Sequence, residues 1–173
     1  MKKIVLVTGG ARSGKSSFAL DSASKSTGRK YFIATAEGYD EEMKQRIENH
    51  KKERSHHWIT IEEPVDIGKA LAEIDRPDTV AVLDCLTLWV SNLMREDTET
   101  SSLERSFKEF LQVLRQLKSL NIYIVTNEVG MGIVPENPLA RIYRDMLGRL
   151  NQAVAELSDE VYLMISGIAL KVK

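Results

Sequence analysis

The chain carries a glycine-rich segment, Gly-Gly-Ala-Arg-Ser-Gly-Lys-Ser at residues 9–16, directly after the apolar run Ile-Val-Leu-Val at residues 4–7. This segment fits the P-loop pattern G-x-x-x-x-G-K-[ST], which follows a strand and opens a helix. The backbone N–H groups of such a loop and the N-terminus of the helix can wrap a phosphate. Lys15 would then reach the β- and γ-phosphates, and Ser16 would hold Mg²⁺. A Gly/Ser turn is the alternative, but the order of strand, loop and helix favours nucleotide binding.

The composition limits the class of protein further. With 173 residues, of which 43% are hydrophobic and 28% charged, the sequence predicts one globular P-loop nucleotide-binding domain over residues 1–173. The formal net charge of −1 gives no basic field, so we expect no nucleic-acid partner. The single cysteine, Cys85, excludes a disulfide within this sequence and fits a cytoplasmic location. The apolar run at residues 4–7 is too short for a signal peptide, and no later stretch predicts a membrane span.

Strand-like and helix-like segments alternate along the chain. This alternation predicts an α/β fold, a doubly wound, mostly parallel sheet with helices on both faces. With the P-loop motif at residues 9–16, we expect the P-loop NTPase (RecA-like) type of this fold. Ligands of such sheets bind beyond the carboxyl ends of the strands, which places the chemistry in the loops after Thr8, Thr35, Asp84 and Thr126. The predicted strands are residues 3–8, 30–35, 57–62, 79–84, 121–126, 160–165 and 169–172, and the predicted helices are residues 15–25, 40–55, 65–74, 86–95, 103–120 and 139–157.

An acidic residue ends the most apolar of these strands, Val-Ala-Val-Leu-Asp at residues 80–84. A carboxylate in this position can face a P-loop and help to hold Mg²⁺, directly or through water. The alternative is that Asp84 caps the helix that begins near Leu86, because Asp is a preferred N-cap. The presence of a P-loop favours the metal or nucleotide role.

The segment at residues 40–55 is unusually charged for a helix. Arg46, His50 and Arg54 are spaced at i, i+4 and i+8, so they share one stripe, and Lys51 lies next to it. A cationic stripe suits a polyphosphate, and the neighbouring charges would keep a ring nitrogen of His50 unprotonated, as a nucleophile requires. The alternative is a solvated charged face, which composition alone favours.

The segment that follows the last long apolar strand is a second candidate. Two glycines at residues 130 and 132 would let the backbone approach a ligand closely, although an ordinary strand-to-helix connection is the alternative.

In the helix predicted at residues 139–157, an apolar stripe forms core or subunit interface. Three arginines lie mostly off this stripe and would be placed to face phosphates or solvent; they are Arg141, Arg144 and Arg149.

Several motifs follow one another in a fixed order over nearly the whole chain. They are Gly-Gly-Ala-Arg-Ser-Gly-Lys-Ser at 9–16, Ala-Thr-Ala at 34–36, Arg-Ile-x-x-His-x-x-x-Arg at 46–54, Trp-x-Thr-x-Glu at 58–62, Asp-Cys-Leu-Thr at 84–87, Val-Thr-Asn-Glu-Val-Gly-Met-Gly-Ile-Val-Pro at 125–135, Arg-Asp-x-x-Gly-Arg-x-Asn-Gln at 144–152 and Ser-Gly-Ile at 166–168. In this order the chain resembles the bifunctional adenosylcobinamide kinase / adenosylcobinamide-phosphate guanylyltransferase of cobalamin biosynthesis. Many families share the P-loop, but the histidine-containing helix and the Asn-Glu-Val-Gly run are far more particular.

The resemblance implies a reaction in two steps. The family phosphorylates the aminopropanol hydroxyl of adenosylcobinamide with ATP or GTP, and then transfers GMP from GTP to that phosphate, giving adenosylcobinamide-GDP and pyrophosphate. The second step runs through a covalent guanylyl-histidine, and His50 matches that histidine by its place in the Arg-Ile-x-x-His motif. The resemblance therefore reverses the interpretation that composition alone favours, and it points to a nucleophile at His50.

The resemblance also implies the site residues and the assembly. His50 and Lys15 are the expected catalytic residues, Ser16 and Asp84 the expected Mg²⁺ ligands, and GTP and ATP the expected nucleotide substrates. With the apolar helix stripes, the resemblance suggests a homo-oligomer, a trimer. The expected nucleotide-binding residues are Gly9, Gly10, Ala11, Arg12, Ser13, Gly14, Lys15, Ser16, Ala34, Thr35, Ala36, Lys51, Lys52, Glu53, Arg54, Glu62 and Asp84.

Two other functions stay open at the level of sequence. One is a different P-loop small-molecule kinase, in which His50 is a surface residue and no guanylyl transfer occurs. The other is a GTP-dependent switch protein. The Asn-Lys-x-Asp run that reads guanine in switch GTPases is absent from the sequence, which counts against a switch.

Overall fold

The computed structural model describes residues 2–38, 41, 45, 48 and 57–173. The helix predicted at residues 40–55 therefore lies largely outside the described residues. Its three described members, Glu41, Gln45 and Glu48, are helical and exposed.

A seven-stranded sheet forms the centre of the described structure, in the order β3-β2-β4-β5-β1-β6-β7. Every neighbouring pair is parallel except β6 and β7, which are antiparallel. The predicted mostly parallel sheet is therefore confirmed. The strands are β1 (Lys3–Gly9), β2 (Arg29–Ala34), β3 (Trp58–Glu62), β4 (Thr79–Asp84), β5 (Asn121–Val125), β6 (Glu160–Ile165) and β7 (Ile168–Lys171).

Helices cover both faces of the sheet, as predicted for a doubly wound fold. Ala19 and Ala23 of the first helix are buried against Val5 and Val7 of β1 on one face, and the other four helices contribute to the core on the opposite face. Because the middle of β1 is covered on both faces, the four successive residues 4–7 are all apolar and buried. The helices of the described chain outside residues 41–48 are α1 (Lys15–Ser24), α2 (Ile67–Ile74), α3 (Leu86–Glu96), α4 (Thr100–Gln116) and α5 (Pro138–Leu157).

The helix predicted at residues 103–120 is shorter at its carboxyl end than expected, because α4 ends at Gln116. The carboxylate of Asp75 accepts hydrogen bonds from the backbone N–H groups of the three residues that follow Leu117, at 2.8–2.9 Å. These N–H groups would otherwise bond within a helix, so Asp75 ends α4 and directs the chain into β5. In the described ranges, no helix has both the length and the apolar character that crossing a membrane requires.

Candidate active site

The P-loop connects β1 to α1 with a backbone that only certain residues tolerate. Gly9 has a φ of 148° and Gly14 a φ of 90°. A Cβ on Gly9 would lie 2.5 Å from the carbonyl oxygen of Met164 in β6, which leaves no room for a side chain. The first glycine of the motif is therefore fixed by its contact with a neighbouring strand as well as by its dihedral angle.

Lys15 begins α1 and folds back across the loop. Its side chain is largely buried, and its Nζ donates a hydrogen bond of 2.5 Å to the carbonyl oxygen of Gly10. Burial lowers the pKa of Lys15, while the nearby carboxylate of Asp84 acts in the opposite direction. A phosphate bound in the loop would relieve the cost of burying this charge, which is the arrangement expected of a phosphate-binding lysine.

The first half of the loop is exposed to solvent, and the start of α1 has no side-chain cap. Gly10, Ala11 and Arg12 are exposed, and Arg12 has a positive φ of 56°. Gly14 occupies the N-cap position of α1 without a side-chain hydrogen bond. The hydroxyl of the buried Ser13 has no partner among the described residues. Free N–H groups at a helix start and an unused hydroxyl fit the binding of an anion.

Two later segments of the chain hold the P-loop in place. The backbone nitrogen of Glu128 donates to the carbonyl oxygen of Gly9 at 3.0 Å, and that of Gly167 donates to the carbonyl oxygen of Ser13 at 3.1 Å. Glu128 follows β5, and Gly167 lies in the turn between β6 and β7. The loop is thus bonded at its start and at its middle to neighbouring parts of the sheet edge.

Asp84 ends β4 at the same edge and acts electrostatically on Lys15. It does not cap α3, because Cys85 takes the N-cap position and no side chain provides a capping hydrogen bond. Burial raises the pKa of the Cys85 thiol to about 12, so this thiol stays protonated and is a poor nucleophile. The missing capping bond and the electrostatic effect of Asp84 on Lys15 favour the nucleotide or metal role for Asp84 over the capping alternative.

The site fits a magnesium ion held partly by substrate. Asp84 and Ser16 offer a carboxylate and a hydroxyl, both partly exposed. No group of three or more His, Cys, Asp or Glu residues within the described ranges could hold a metal ion by itself. Mg²⁺ commonly takes only one or two protein ligands and completes its shell with phosphates and water, so these two oxygen donors suit it.

Sheet register brings three of the expected nucleotide-binding residues side by side. Ala34 of β2 is paired with Asp84 of β4 on one side and with Glu62 of β3 on the other. Glu62 is exposed, and Ala34 and Ala36 are partly exposed. The three paired positions therefore form a row at the carboxyl edge, on the β2–β4 side of the P-loop strand.

Thr35 follows Ala34 in this region, but its polar groups are all used inside the protein. It is fully buried, and its hydroxyl donates to the carbonyl oxygen of Cys85 and accepts from the nitrogen of Cys85, each at 2.8 Å. Its backbone nitrogen donates to the backbone carbonyl oxygen of Asp84, and its own carbonyl oxygen accepts from the side chain of Asn92. The Thr35 side chain thus joins the ends of β2 and β4, and its contact with a nucleotide stays a prediction.

Asn92 of α3 is not among the residues predicted from the sequence. Its buried Nδ2 donates to the carbonyl oxygen of Thr35 at 2.8 Å and to that of Pro64 at 3.1 Å. It therefore links the segment after β2 to the segment after β3. One feature of the sequence could have indicated Asn92. It is the amide side chain on a face of α3 where the other residues, Trp89 and Leu93 among them, are buried and apolar.

The segment after β5 is held by α3 and α5. The hydroxyl of Thr126 donates to Oδ1 of Asn151 at 2.8 Å, and Nδ2 of Asn151 donates to the carbonyl oxygen of Asn127 at 3.1 Å. The nitrogen of Asn127 donates to the hydroxyl of Thr87 at 2.7 Å. Tyr143, whose pKa is raised by burial, donates to the carbonyl oxygen of Thr87 at 3.0 Å. These bonds fix the position of Glu128, which comes next in the chain.

A cavity of about 890 Å³ opens beside this segment. It lies between the residues that follow β5, the residues of β1 and β6, and the face of α5. Glu128, Thr8 and two of the three arginines noted in the sequence, Arg144 and Arg149, line it. The third, Arg141, instead donates to the carbonyl oxygens of Pro135 and Glu136, at 3.0 and 2.6 Å.

Several expected site residues lie outside the described residues. They include the expected nucleophile and its charged neighbours, His50, Lys51, Lys52, Glu53 and Arg54, and also Arg46. Their roles stay predictions. His57, which is described, is exposed at the start of β3.

Comparison with known proteins gives matches over nearly the full chain. The family model described as cobinamide kinase / cobinamide phosphate guanyltransferase matches residues 5–172. The chain is 40% identical over 181 residues to the bifunctional adenosylcobalamin biosynthesis protein CobU of Salmonella typhimurium, covering 98% of this chain and 99% of that protein. It is 38% identical over 168 residues to the bifunctional adenosylcobalamin biosynthesis protein CobP of Pseudomonas aeruginosa, covering 97% and 96% of the two.

Solved structures with low sequence identity share the fold. The RadB recombinase superposes with a TM-score of 0.57 at 16% identity, covering 93% of this chain and 73% of that chain. An ATPase from a bacterial type III secretion system superposes with a TM-score of 0.59 at 8% identity, covering 98% of this chain and 56% of that one. These similarities confirm the predicted RecA-like P-loop fold.

Proposed function

Since this chain belongs to the cobinamide kinase / cobinamide phosphate guanyltransferase family, we propose that one site at the carboxyl edge of its sheet carries out both of the family's reactions. The enzyme phosphorylates adenosylcobinamide with ATP or GTP, and then transfers GMP from GTP to adenosylcobinamide phosphate, giving adenosylcobinamide-GDP and pyrophosphate. The main structural support for this site is the buried Lys15, which folds over the P-loop. The helix that follows the loop, α1, begins without a side-chain cap.

In this proposal the P-loop serves both steps by holding the triphosphate. The N–H groups of the loop and the Lys15 ammonium stabilise charge on the phosphates, and the row Ala34, Glu62 and Asp84 borders the nucleotide on the β2–β4 side. Ser16 and Asp84 would hold Mg²⁺, which supplies charge neutralisation and alignment of the phosphates when bound. Phosphoryl transfer depends mainly on positioning and electrostatics, which these groups provide.

For the second step we propose His50 as the nucleophile, on the strength of its place in the motif at residues 46–54. A neutral ring nitrogen attacks the α-phosphorus of GTP, the bond from that phosphorus to the bridging oxygen breaks, and pyrophosphate leaves. The phosphate oxygen of adenosylcobinamide phosphate then attacks the same phosphorus and releases the histidine. The covalent intermediate divides one difficult transfer between anions into two easier ones.

Labelling with GTP tests the guanylyltransferase half. Protein incubated with α-labelled GTP is denatured and examined for label that is labile in acid and stable in base, the behaviour expected of a phosphoramidate. His50→Ala should abolish the label, whereas His57→Ala, the matched change at an exposed histidine, should retain it. If the wild-type protein takes up no label, the guanylyltransferase activity is refuted and the alternative of a P-loop kinase remains.

A substitution in the P-loop tests the kinase half. Lys15→Met should reduce phosphorylation of adenosylcobinamide by about 100-fold or more, since it removes a buried charge that would contact the phosphates. Lys25→Met, at the exposed end of α1, is the matched control and should retain wild-type activity. Equal activity of both variants would contradict the assignment of Lys15.

We also propose that the protein acts as a homotrimer in the cytoplasm. Support for self-association comes from large apolar side chains on the surface, among them Ile133 at 96% exposure, Met131 at 80% and Ile168 at 73%. Support for the cytoplasm comes from the single cysteine. Sedimentation equilibrium of the purified protein should give three times the chain mass, and a monomer at all concentrations would refute the trimer.

A further inference from the structure

We infer that the cavity beside the P-loop, lined by Thr8, Glu128, Arg144 and Arg149, receives the aminopropanol arm of the corrinoid, and that Glu128 accepts the proton of its hydroxyl during phosphorylation. This inference rests on the proposed function, because it names where the second substrate of that same site binds. It assigns a role to Glu128 and Arg144 that the motifs alone do not distinguish from a structural one.

The arrangement of the sheet separates a nucleotide side from an acceptor side. The row formed by Ala34, Glu62 and Asp84 belongs to β2, β3 and β4, which lie on one side of β1. The cavity is bordered by Thr8 of β1, by Val161 of β6 on the other side of β1, and by residues that follow β5. The P-loop follows β1 and lies between the two. A donor bound over the P-loop would therefore face an acceptor that enters from the cavity.

Glu128 is placed for contact with both the P-loop and the cavity. Its backbone nitrogen is bonded to Gly9 at the start of the P-loop, at 3.0 Å. Its Oε1 accepts a hydrogen bond of 2.7 Å from the nitrogen of Gly130, which orients the carboxylate. This bond engages Oε1, so we take Oε2 as the oxygen that accepts the proton.

The cavity also offers groups that suit a phosphate and a polar arm. The side chain of Arg144 is 20% exposed, and the contact of its guanidinium with Asp145 is long, at 3.4 Å. Arg149 is more exposed and reaches Glu104 at 3.5 Å. The Thr8 hydroxyl is buried and has no partner in the part of the chain that the structure describes. Two loosely paired cations and an unused hydroxyl can bind an anionic, hydrogen-bonding group without breaking strong internal contacts.

The chemical step balances with the residues named. The hydroxyl oxygen of the arm attacks the γ-phosphorus of the nucleoside triphosphate, and a new O–P bond forms. The bond between that phosphorus and the β,γ-bridging oxygen breaks, and its electron pair leaves with the nucleoside diphosphate. The hydroxyl proton passes to Oε2 of Glu128. The phosphate formed on the arm then lies beside Arg144, which holds it for the guanylyl transfer.

Glu128→Gln tests the proton acceptor, because glutamine keeps an oxygen for Gly130 but is not a base. We expect kcat for phosphorylation of adenosylcobinamide to fall by about 100-fold, the lower range for loss of general-base catalysis, with KM for ATP nearly unchanged. Labelling with GTP in the absence of corrinoid should proceed at the wild-type rate, since it needs no acceptor. Glu136→Gln, an exposed glutamate outside the cavity, is the matched control and should leave both rates unchanged.

Arg144→Met tests the acceptor site independently of proton transfer. We expect KM for adenosylcobinamide phosphate to rise by about tenfold or more, the factor for loss of a hydrogen bond to a charged group, while KM for GTP and the GTP labelling rate stay near wild type. Arg105→Met, an exposed arginine on α4, is the matched control.

The outcomes separate this inference from the proposed function. The inference is overturned if E128Q phosphorylates adenosylcobinamide within about threefold of the wild-type rate, or if E128Q or R144M lose GTP labelling together with acceptor activity, because the residues would then support the whole site. A rise in KM for GTP rather than for the corrinoid in R144M also overturns it. Failure of the proposed function appears instead in the wild-type protein, which would neither label with GTP nor phosphorylate adenosylcobinamide.

Discussion

The nitrogen of Gly167 and the carbonyl oxygen of Ser13, 3.1 Å apart, join the turn between the last two strands to the middle of the P-loop. Ser166 and Gly167 both have positive φ angles, of 50° and 84°, which are those of a tight two-residue hairpin turn. Gly14 approaches the same turn, since a Cβ on it would lie 3.4 Å from Cα of Gly167. The hairpin therefore sets the shape of the loop that would hold the phosphates.

Gly167→Ala is expected to destabilise the protein and to weaken binding of GTP. The left-handed conformation costs a residue with a side chain about 1 kcal/mol, although a Cβ on Gly167 would meet no atom within 4 Å. Urea unfolding should show this loss, and titration with GTP should show a higher Kd. Gly132→Ala, where space is also open and φ is not in the left-handed region, should change the free energy of unfolding by less than about 0.5 kcal/mol. Equal stability of both variants would show that the turn is not strained.

Gly148→Ala is expected to stabilise the protein. Gly148 lies within α5, and a Cβ built on it would contact nothing within 4 Å. Alanine should raise the free energy of unfolding by about 0.5–1 kcal/mol, because it loses less conformational freedom in a helix. The reverse change in the same helix, Ala153→Gly, should lower it by a similar amount. A loss of stability in G148A would mean that the helix moves against the sheet.

Asn92→Asp is expected to produce a pH-dependent loss of stability. The amide of Asn92 donates to two carbonyl oxygens, and a carboxylate there would face them without a proton to donate. Burial would raise the pKa of the introduced Asp above its value in the unfolded chain, so stability is best below that unfolded pKa and is lost as pH rises through the folded one. Chemical unfolding at pH 5 and pH 8 should show a larger deficit at pH 8. Asn92→Leu, which does not titrate, should show a deficit that is the same at both.

Glu160 is expected to contribute to acid sensitivity. Hydrogen bonds from Lys171 and Lys3 lower the pKa of Glu160 from 4.5 to about 2. Because the folded pKa is depressed, the contribution is present above pH 4.5 and is lost as pH falls towards 2. The loss should amount to about 1 kcal/mol after solvent screening. Glu160→Gln should lose this part of the pH dependence, whereas Glu156→Gln, an exposed glutamate of α5, should follow the wild type.

The elements with strong local patterns could be predicted from the sequence. The strands predicted at residues 79–84 and 160–165 have the same bounds as β4 and β6, because apolar runs and flanking polar residues mark them. The end of α4 could not be predicted, because it depends on hydrogen bonds from residues 118–120 to Asp75, which is distant in the sequence. Element boundaries set by tertiary contacts leave little local signal.

The parts of the candidate site that need particular residue types could be predicted from the sequence. The parts held in place by backbone hydrogen bonds could not. The P-loop and the carboxylate of Asp84 are recognisable because phosphate binding restricts residue type and spacing. The bond from Glu128 to Gly9 uses backbone atoms, so no residue type marks it in the sequence. The sequence could have indicated Asn92, since a lone amide on an apolar helix face needs partners for its polar groups.

The position of β1 in the sheet has a consequence for how the protein folds. This strand comes first in the sequence, yet its two neighbours, β5 and β6, come from the far part of the chain. Forming these pairs requires closure of long loops, so contacts of high sequence separation control assembly of the P-loop. The nucleotide-binding conformation therefore requires that the distant strands have joined, and a nucleotide that binds it stabilises the completed sheet.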